Sequence, residues 1–214
     1  MELEVGRRHE AGQSWPLLVW RSPTPMWCIS SAPLGGGLGR RRWVLNAQVP
    51  HDYDRRDPHV HLAELAAARG LAGDGVGLLT AADVDRRTSA TDGGVSVVAT
   101  VGLGWPLLAA APGDVDETPV ERVERVGTVN IVAVLPERLG DAALVNAVGT
   151  MTEAKCQALA DAGLAATGTA TDAVCVLCPD AGVPQAFGGP RSVWGSRLAR
   201  ATHAAVLAGA RQWR

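Results

Sequence analysis

Short runs of apolar residues dominated by Val, Leu, Ile and Trp recur along the chain at residues 17–20, 27–31, 43–49, 76–80, 95–101, 126–135 and 173–177. Runs of that length and composition predict strands. Three longer stretches, 58–69, 141–162 and 192–213, space their apolar residues at the helical period instead. Pro58 suits the first position of a helix, and Gly70 and Gly163 suit the cap just beyond one. The predicted order is three strands, helix, three strands, helix, strand, helix. Strands that arrive in runs, rather than one per helix, predict an α+β fold: a mixed, largely antiparallel sheet with three main helices packed on it. Residues 104–124, rich in Pro, Gly and acids, read as a long loop between neighbouring strands. No repeat and no break in composition divides the chain, so one domain over residues 1–214 is expected. Residues 1–25 carry no interpretable pattern.

The middle helix repays closer reading. At about 100° per residue, Asn146, Thr150, Glu153 and Gln157 form one stripe, with Leu144, Val148, Met151 and Leu159 opposite. Lys155 falls among the apolar set, where a lysine must snorkel, find a partner or occupy a pocket. Glu153 and Lys155, two apart, point to nearly opposite sides. If both serve one chemistry, the helix has to be packed on two sides.

Composition adds mainly exclusions. The 214 residues are 47% hydrophobic and 20% charged with a formal net charge of −2, which is ordinary globular usage and a poor match to a protein that grips nucleic-acid phosphates. Of 20 basic residues, Lys155 is the one lysine. Four Cys and no apolar leader among the first 14 residues favour a soluble, cytoplasmic protein without a disulfide scaffold. Residues 95–115 are broken by Gly102, Gly104, Pro106 and Pro112, so they do not read as a membrane span.

Several clusters offer chemistry. Cys175 and Cys178 have a metal-knuckle spacing, but residues three apart on a strand face opposite ways, and core packing is expected of them. Gly35, Gly36, Gly37 and Gly39 lead through three arginines into a strand, whereas a phosphate cradle opens a helix, so a turn or a rim is expected. His51, Asp52 and Asp54 follow a strand, where sites are commonly built, and His51 has the right ordinary pKa for a base. His59 and His61 with Asp54 or Asp57 would suit a metal only if the helix there let residues two apart converge. The 167–172 turn, with Thr167, Thr169, Thr171 and Asp172 about Gly168, reads as a polar pocket floor.

These segments, taken together and in order, resemble the adenosylcobinamide amidohydrolase family. The resemblance runs from about Trp27 to Gly209 and is carried by Ser30-Ser31-Ala32-Pro33-Leu34-Gly35-Gly36-Gly37, NAQVPHDYDR at 46–55, GVGLLTAADV at 75–84 and TVGL at 100–103. It continues through GTVNIVAVLPERL at 127–139, ALVNAVGTMTEAK at 143–155, TGTATDAVCV at 167–176 and FGGPRSVWGSRLARATHAAVLAG at 187–209. It implies hydrolysis of the amide between a corrin propionyl side chain and aminopropanol, turning adenosylcobinamide into adenosylcobyric acid in corrinoid salvage. The partner implied is a small-molecule corrinoid, with no nucleic acid or membrane and with a homo-oligomer left open. Cobalt belongs to that substrate, and neither a separate cofactor nor a protein-bound metal is implied. A corrinoid-binding module without activity, and a metal-dependent amidohydrolase, are the competing readings.

Amide hydrolysis needs a base, an acid for the departing amine, and donors for the oxyanion. On side-chain chemistry, Glu153 or His51 is the expected base, with Lys155 or amide donors around Thr169 at the oxyanion and Asp172 beside them. Ser31, Asn46, Asp52, Asp54, Thr80, Asn130, Thr169 and Thr171 are expected to bind substrate. The Leu34–Gly39 loop and Trp27 or Trp43 are expected to lie near the flat ring.

Overall fold

The computed structural model describes residues 1–10, 12–111 and 127–213. Among them are β1 (Glu2–Glu10), β2 (Gln13–Ser30), β3 (Gly37–Gln48), α1 (Pro58–Ala68), β4 (Gly75–Thr80), β5 (Thr88–Asp92), β6 (Val95–Gly102), β7 (Thr128–Val134), α2 (Asp141–Asp161), β8 (Ala173–Pro179) and α3 (Val193–Trp213). The strands form one eight-stranded sheet in the order β4-β3-β2-β8-β7-β6-β5, with β1 paired to β2 off that path. Pairing is antiparallel except for β3 with β4 and β7 with β8. The fold is α+β with a mixed, largely antiparallel sheet, as the strand runs predict.

The differences from the predicted elements have physical causes. The runs at 17–20 and 27–31 are two halves of β2, whose register to β3 slips between Arg21 and Met26. Between the halves, Ser22, Pro23, Thr24 and Pro25 have no register partner on β1, β3 or β8, so the interruption of the apolar run marks an irregularity within one strand rather than a turn between two. β1 (ELEVGRRHE) and β5 (TSATD) were not predicted, because neither contains an apolar run. β1 is a strand because it lines up on β2 from Glu2 opposite Arg21 to Glu10 opposite Gln13. It gives residues 1–25 a place that their side chains do not reveal. Of the predicted 104–124 loop, residues 112–124 lie outside the described residues.

Three apolar layers hold the sheet. On its outer face, Leu144, Met151 and Leu159 of α2 and Leu198, Ala201 and Val206 of α3 pack on β6, β7 and β8. Each fully buried aliphatic side chain of this kind contributes roughly 1.5–3 kcal/mol. α1 covers Leu17, Val19 and Leu45 through Leu62 and Ala66. The third layer, with Leu18, Trp20, Val44, Leu78, Val98 and Cys175, fills the concave side. Cys178 belongs to the outer layer and Cys175 to the concave one, so the two cysteines face opposite ways in the core. Burial pushes both thiols above their usual pKa.

The sheet curls far enough for β3 and β4 to reach β6 and β7. Asn46 donates its amide to Thr100 Oγ1 at 3.1 Å. Asn130 donates to Asn46 Oδ1 at 3.0 Å and to the Leu79 carbonyl at 2.8 Å. All three side chains are buried, so each hydrogen bond replaces one that water would have made. Asn46→Ala strands Thr100 and Asn130 together. A stability loss of roughly 1–3 kcal/mol is expected, read as a lower urea midpoint with unchanged slope.

Candidate active site

The curl leaves a cleft of about 740 Å³ where the ends of β3, β4 and β6 meet the starts of β7 and β8. That volume lies in the usual range for small-molecule sites, roughly 300–1,000 Å³. Its walls are mostly apolar: Pro33, Val49, Pro50, Leu78, Leu79, Trp105 and Leu107 contribute. Polar groups come from Ser31, Tyr53, Thr80, Thr128, Thr171 and Asp172. The 105–109 segment is tied down on one side of the cleft. Leu107 N–H donates to the Gly168 carbonyl at 2.9 Å, and Thr167 N–H donates back to Leu107 at 2.8 Å.

Asp172 is the most heavily bonded group in the lining. One carboxylate oxygen accepts from Val129 N–H at 2.9 Å and from the Thr169 hydroxyl at 2.5 Å. The other accepts from the Lys155 ammonium at 2.5 Å and from Thr169 N–H at 3.2 Å. Lys155 and Asp172 side chains are only 11% and 12% exposed, so the lysine on the apolar side of α2 has found a partner rather than snorkelling. Gly168 makes the room: a Cβ there would stand 2.1 Å from Asp172 and 2.5 Å from Lys155. With four donors in place, the carboxylate has no spare lone pair for a proton from water. Those bonds tie the turn to β7 and to α2. Beside it, Thr171 donates to the Gly127 carbonyl at 3.1 Å, which leaves Thr128 to donate to Thr171 at 2.7 Å.

The residues expected to act together separate into four groups. Ser31, Thr80, Thr171 and Asp172 line the cleft, and Lys155 and Thr169 stand directly behind Asp172. Asn46 and Asn130 lie beneath the floor with their amide nitrogens donated to the sheet closure and Asn130 Oδ1 left without a partner, so they support the cleft without lining it. His51, Asp52 and Asp54 are exposed on the turn after β3; its Pro50 and Tyr53 line the cleft, whereas these three stand at the rim. Glu153 does not join at all. It borders a separate groove between α2 and α3 with Gln157, Arg200 and His203, as its position opposite Lys155 on the helix requires.

The glycine loop and the two tryptophans expected near the cleft lie elsewhere. Residues 34–39 are pinned to the sheet: Leu34 and Gly77 exchange backbone hydrogen bonds, and Arg41 Nε donates to the Gly35 carbonyl at 3.0 Å. Gly35 has φ +67° and approaches Gly75 so closely that a Cβ would lie 1.9 Å from its oxygen. Of that motif, Ser31 and Pro33 face the cleft. Trp43 is buried and donates to the Gly73 carbonyl. Trp27 donates to Asp141 and lies between Arg40 and Arg138. Neither lines the cleft; the indole that does is Trp105, 62% exposed. A Trp in a Pro-rich loop gives no periodic signal, so the sequence alone did not single it out.

Tyr53 was also not anticipated. Its hydroxyl lies 3.0 Å from His61 Nδ1, and the two rings stack at 18° with centroids 5.6 Å apart. His61 Nε2 in turn lies 3.2 Å from Glu10 Oε1. Burial raises the phenol pKa and lowers that of the imidazole, the latter against the pull of Glu10. Among the described residues, no group of three or more His, Cys, Asp or Glu is placed to hold a metal ion. His61, one of the two histidines considered for that role, is taken up by Tyr53. No helix among the described residues is long and apolar enough to cross a membrane.

Residues 2–214 match the family model described as adenosylcobinamide amidohydrolase. A protein named adenosylcobinamide amidohydrolase from Halobacterium salinarum is 35% identical over 156 residues, covering 71% of this chain and 66% of the relative. One of the same name from Methanosarcina mazei is 30% identical over 133 residues, covering 62% of this chain and 60% of the relative. The matched region thus spans less than two thirds of the length of each.

Removing the ammonium behind the turn tests its structural role. Lys155→Met is expected to cost on the order of 3–5 kcal/mol, the usual penalty for orphaning one member of a buried ion pair, measured by denaturant unfolding at neutral pH.

Proposed function

The chain belongs to the adenosylcobinamide amidohydrolase family, and from that premise we propose that it is an enzyme hydrolysing the amide that joins a corrin propionyl side chain to aminopropanol. The product is then adenosylcobyric acid, and the setting is salvage of corrinoids. The observation that carries this reading is the cleft itself: a mostly apolar hollow with a few fixed polar groups, assembled from segments that are distant in sequence. An adenosylated corrin is larger than this hollow. The cleft is therefore read as taking the side-chain amide and one edge of the ring, while Trp105 and the exposed His51, Asp52 and Asp54 meet what projects beyond the rim.

Each polar group then has work that suits its hydrogen-bonding state. Ser31 Oγ accepts from Val174 N–H, and Thr80 Oγ1 accepts from Ala82 N–H. Both hydroxyl hydrogens remain to donate to the carbonyls of substrate amides. The 168–172 turn, clamped by Asp172 and Lys155, presents Ala170 and Thr171 to the cleft. Their backbone N–H groups supply donors for the tetrahedral oxyanion, where removing one such donor typically costs about 10²–10³-fold in rate. Asp172 and Lys155 hold that geometry.

Incubation with adenosylcobinamide is expected to release free aminopropanol together with a corrinoid carrying one new carboxylate, both resolvable by mass spectrometry. Binding of the corrinoid without release would favour a non-catalytic module. Ser31→Ala is expected to raise KM about two- to tenfold with kcat little changed, as loss of one neutral hydrogen bond made equally in ground and transition states predicts.

A further inference from the structure

We propose that Tyr53 is the proton-transfer residue of the cleft, acting with the His61 imidazole to which it is hydrogen-bonded and with the charge of the Glu10 carboxylate beside that imidazole. The inference rests on the amide-hydrolysis reading above and deepens it. Among the described residues that line the cleft, the titratable side chains are Tyr53 and Asp172, and all four acceptor positions of Asp172 are filled. That leaves the phenol.

The chain behind it has a defined direction. Glu10, held by Arg8 Nε at 2.9 Å, places Oε1 3.2 Å from His61 Nε2, near enough to act through its charge although the two do not make a hydrogen bond. A carboxylate there favours the tautomer with its proton on Nε2, so Nδ1 is the acceptor and the Tyr53 hydroxyl donates to it at 3.0 Å. The lone pairs of the phenol oxygen then stay open to a water in the cleft. Both the tyrosine and the buried histidine are fixed by their stacking. The groups facing His61 are Arg8 and Glu10 from β1, Tyr53 and Arg55 from the turn after β3, and Glu64 on α1 itself.

The proton balance closes without another reactant. Water gives one proton to Tyr53 as Tyr53 passes its own to His61 Nδ1, and the resulting hydroxide attacks the amide carbon. The imidazolium so formed is stabilised by Glu10. When the tetrahedral adduct collapses, the C–N bond breaks, the proton returns from His61 to Tyr53, and Tyr53 delivers one to the departing amine. Water has been divided between a carboxylic acid and an amine, and the enzyme is restored.

Tyr53→Phe keeps the ring that lines the cleft and stacks on His61, so binding of adenosylcobinamide, followed by equilibrium dialysis, is expected to be retained. Its kcat is expected to fall roughly 10²–10⁴-fold, the usual contribution of a positioned acid–base group, with KM little altered. In the wild type, His61 must be neutral to accept, so kcat/KM falls as the medium is acidified through its pKa, which burial places below the ordinary histidine value. Glu10→Gln removes the charge that raises this pKa, so the acid limb moves to still lower pH. A tyrosine that only props the wall would leave kcat and that limb where they are. Wild-type protein that releases aminopropanol while Tyr53→Phe does so equally fast overturns the relay alone. Wild-type protein that binds the corrinoid and releases nothing overturns both the relay and the hydrolysis reading.

Discussion

A carboxylate taken out of water has four acceptor positions to satisfy, and Asp172 satisfies them from three parts of the chain. Val129 opens β7, Lys155 lies midway along α2, and Thr169 belongs to the turn that carries Asp172 itself. The arrangement forces two further features. A lysine must stand on the side of α2 that faces the sheet, and a glycine must stand at 168, where any Cβ would occupy the space the ion pair needs. An isolated buried charge of either sign would be costly, but together they become a rivet between helix, strand and turn. The polar end of the cleft takes its shape from that rivet.

The opposite wall comes from a different device. The sheet curls until Asn46 on β3 reaches Thr100 and Asn130, on strands far along the hydrogen-bonded order. Polar side chains in this position specify one arrangement, because a slip would leave them dry and unpaired. The curl brings the end of β4 against β7, and the Leu34–Gly77 bridge secures the other edge of β4. What remains between the two closures is a hollow with apolar walls and a short row of hydroxyls.

The two sides of α2 face two different surfaces of the molecule. Lys155 looks toward the cleft and Glu153 toward the α2–α3 groove, two residues apart on a helix with 3.6 residues per turn. Two residues adjoining in one motif are thereby assigned to different surfaces. Motif membership alone would have placed both in one site.

How much could be read from the amino-acid order follows from the range of each interaction. Hydrophobic period is local, so the three helices were legible almost to the residue and the apolar parts of the strands were legible too, although two runs proved to be halves of β2 and β3 begins well before its run; the strand runs implied α+β. Resemblance of ordered motifs also survives without coordinates, and it named the family. Lys155 was legible as an anomaly, because a charge on an apolar stripe must be answered somewhere. The answer was not, since Asp172 is 17 residues away and meets it only after α2 has packed. Tyr53, His61 and Glu10 are another such case: they lie on a turn, a helix and the β1 strand that no apolar run announces, and long-range strand pairing alone puts them in line. Local propensity thus determined the elements and the family, while the convergence of charges and hydroxyls on one cleft was decided by sheet curvature and helix packing, which depend on contacts between residues far apart in the chain.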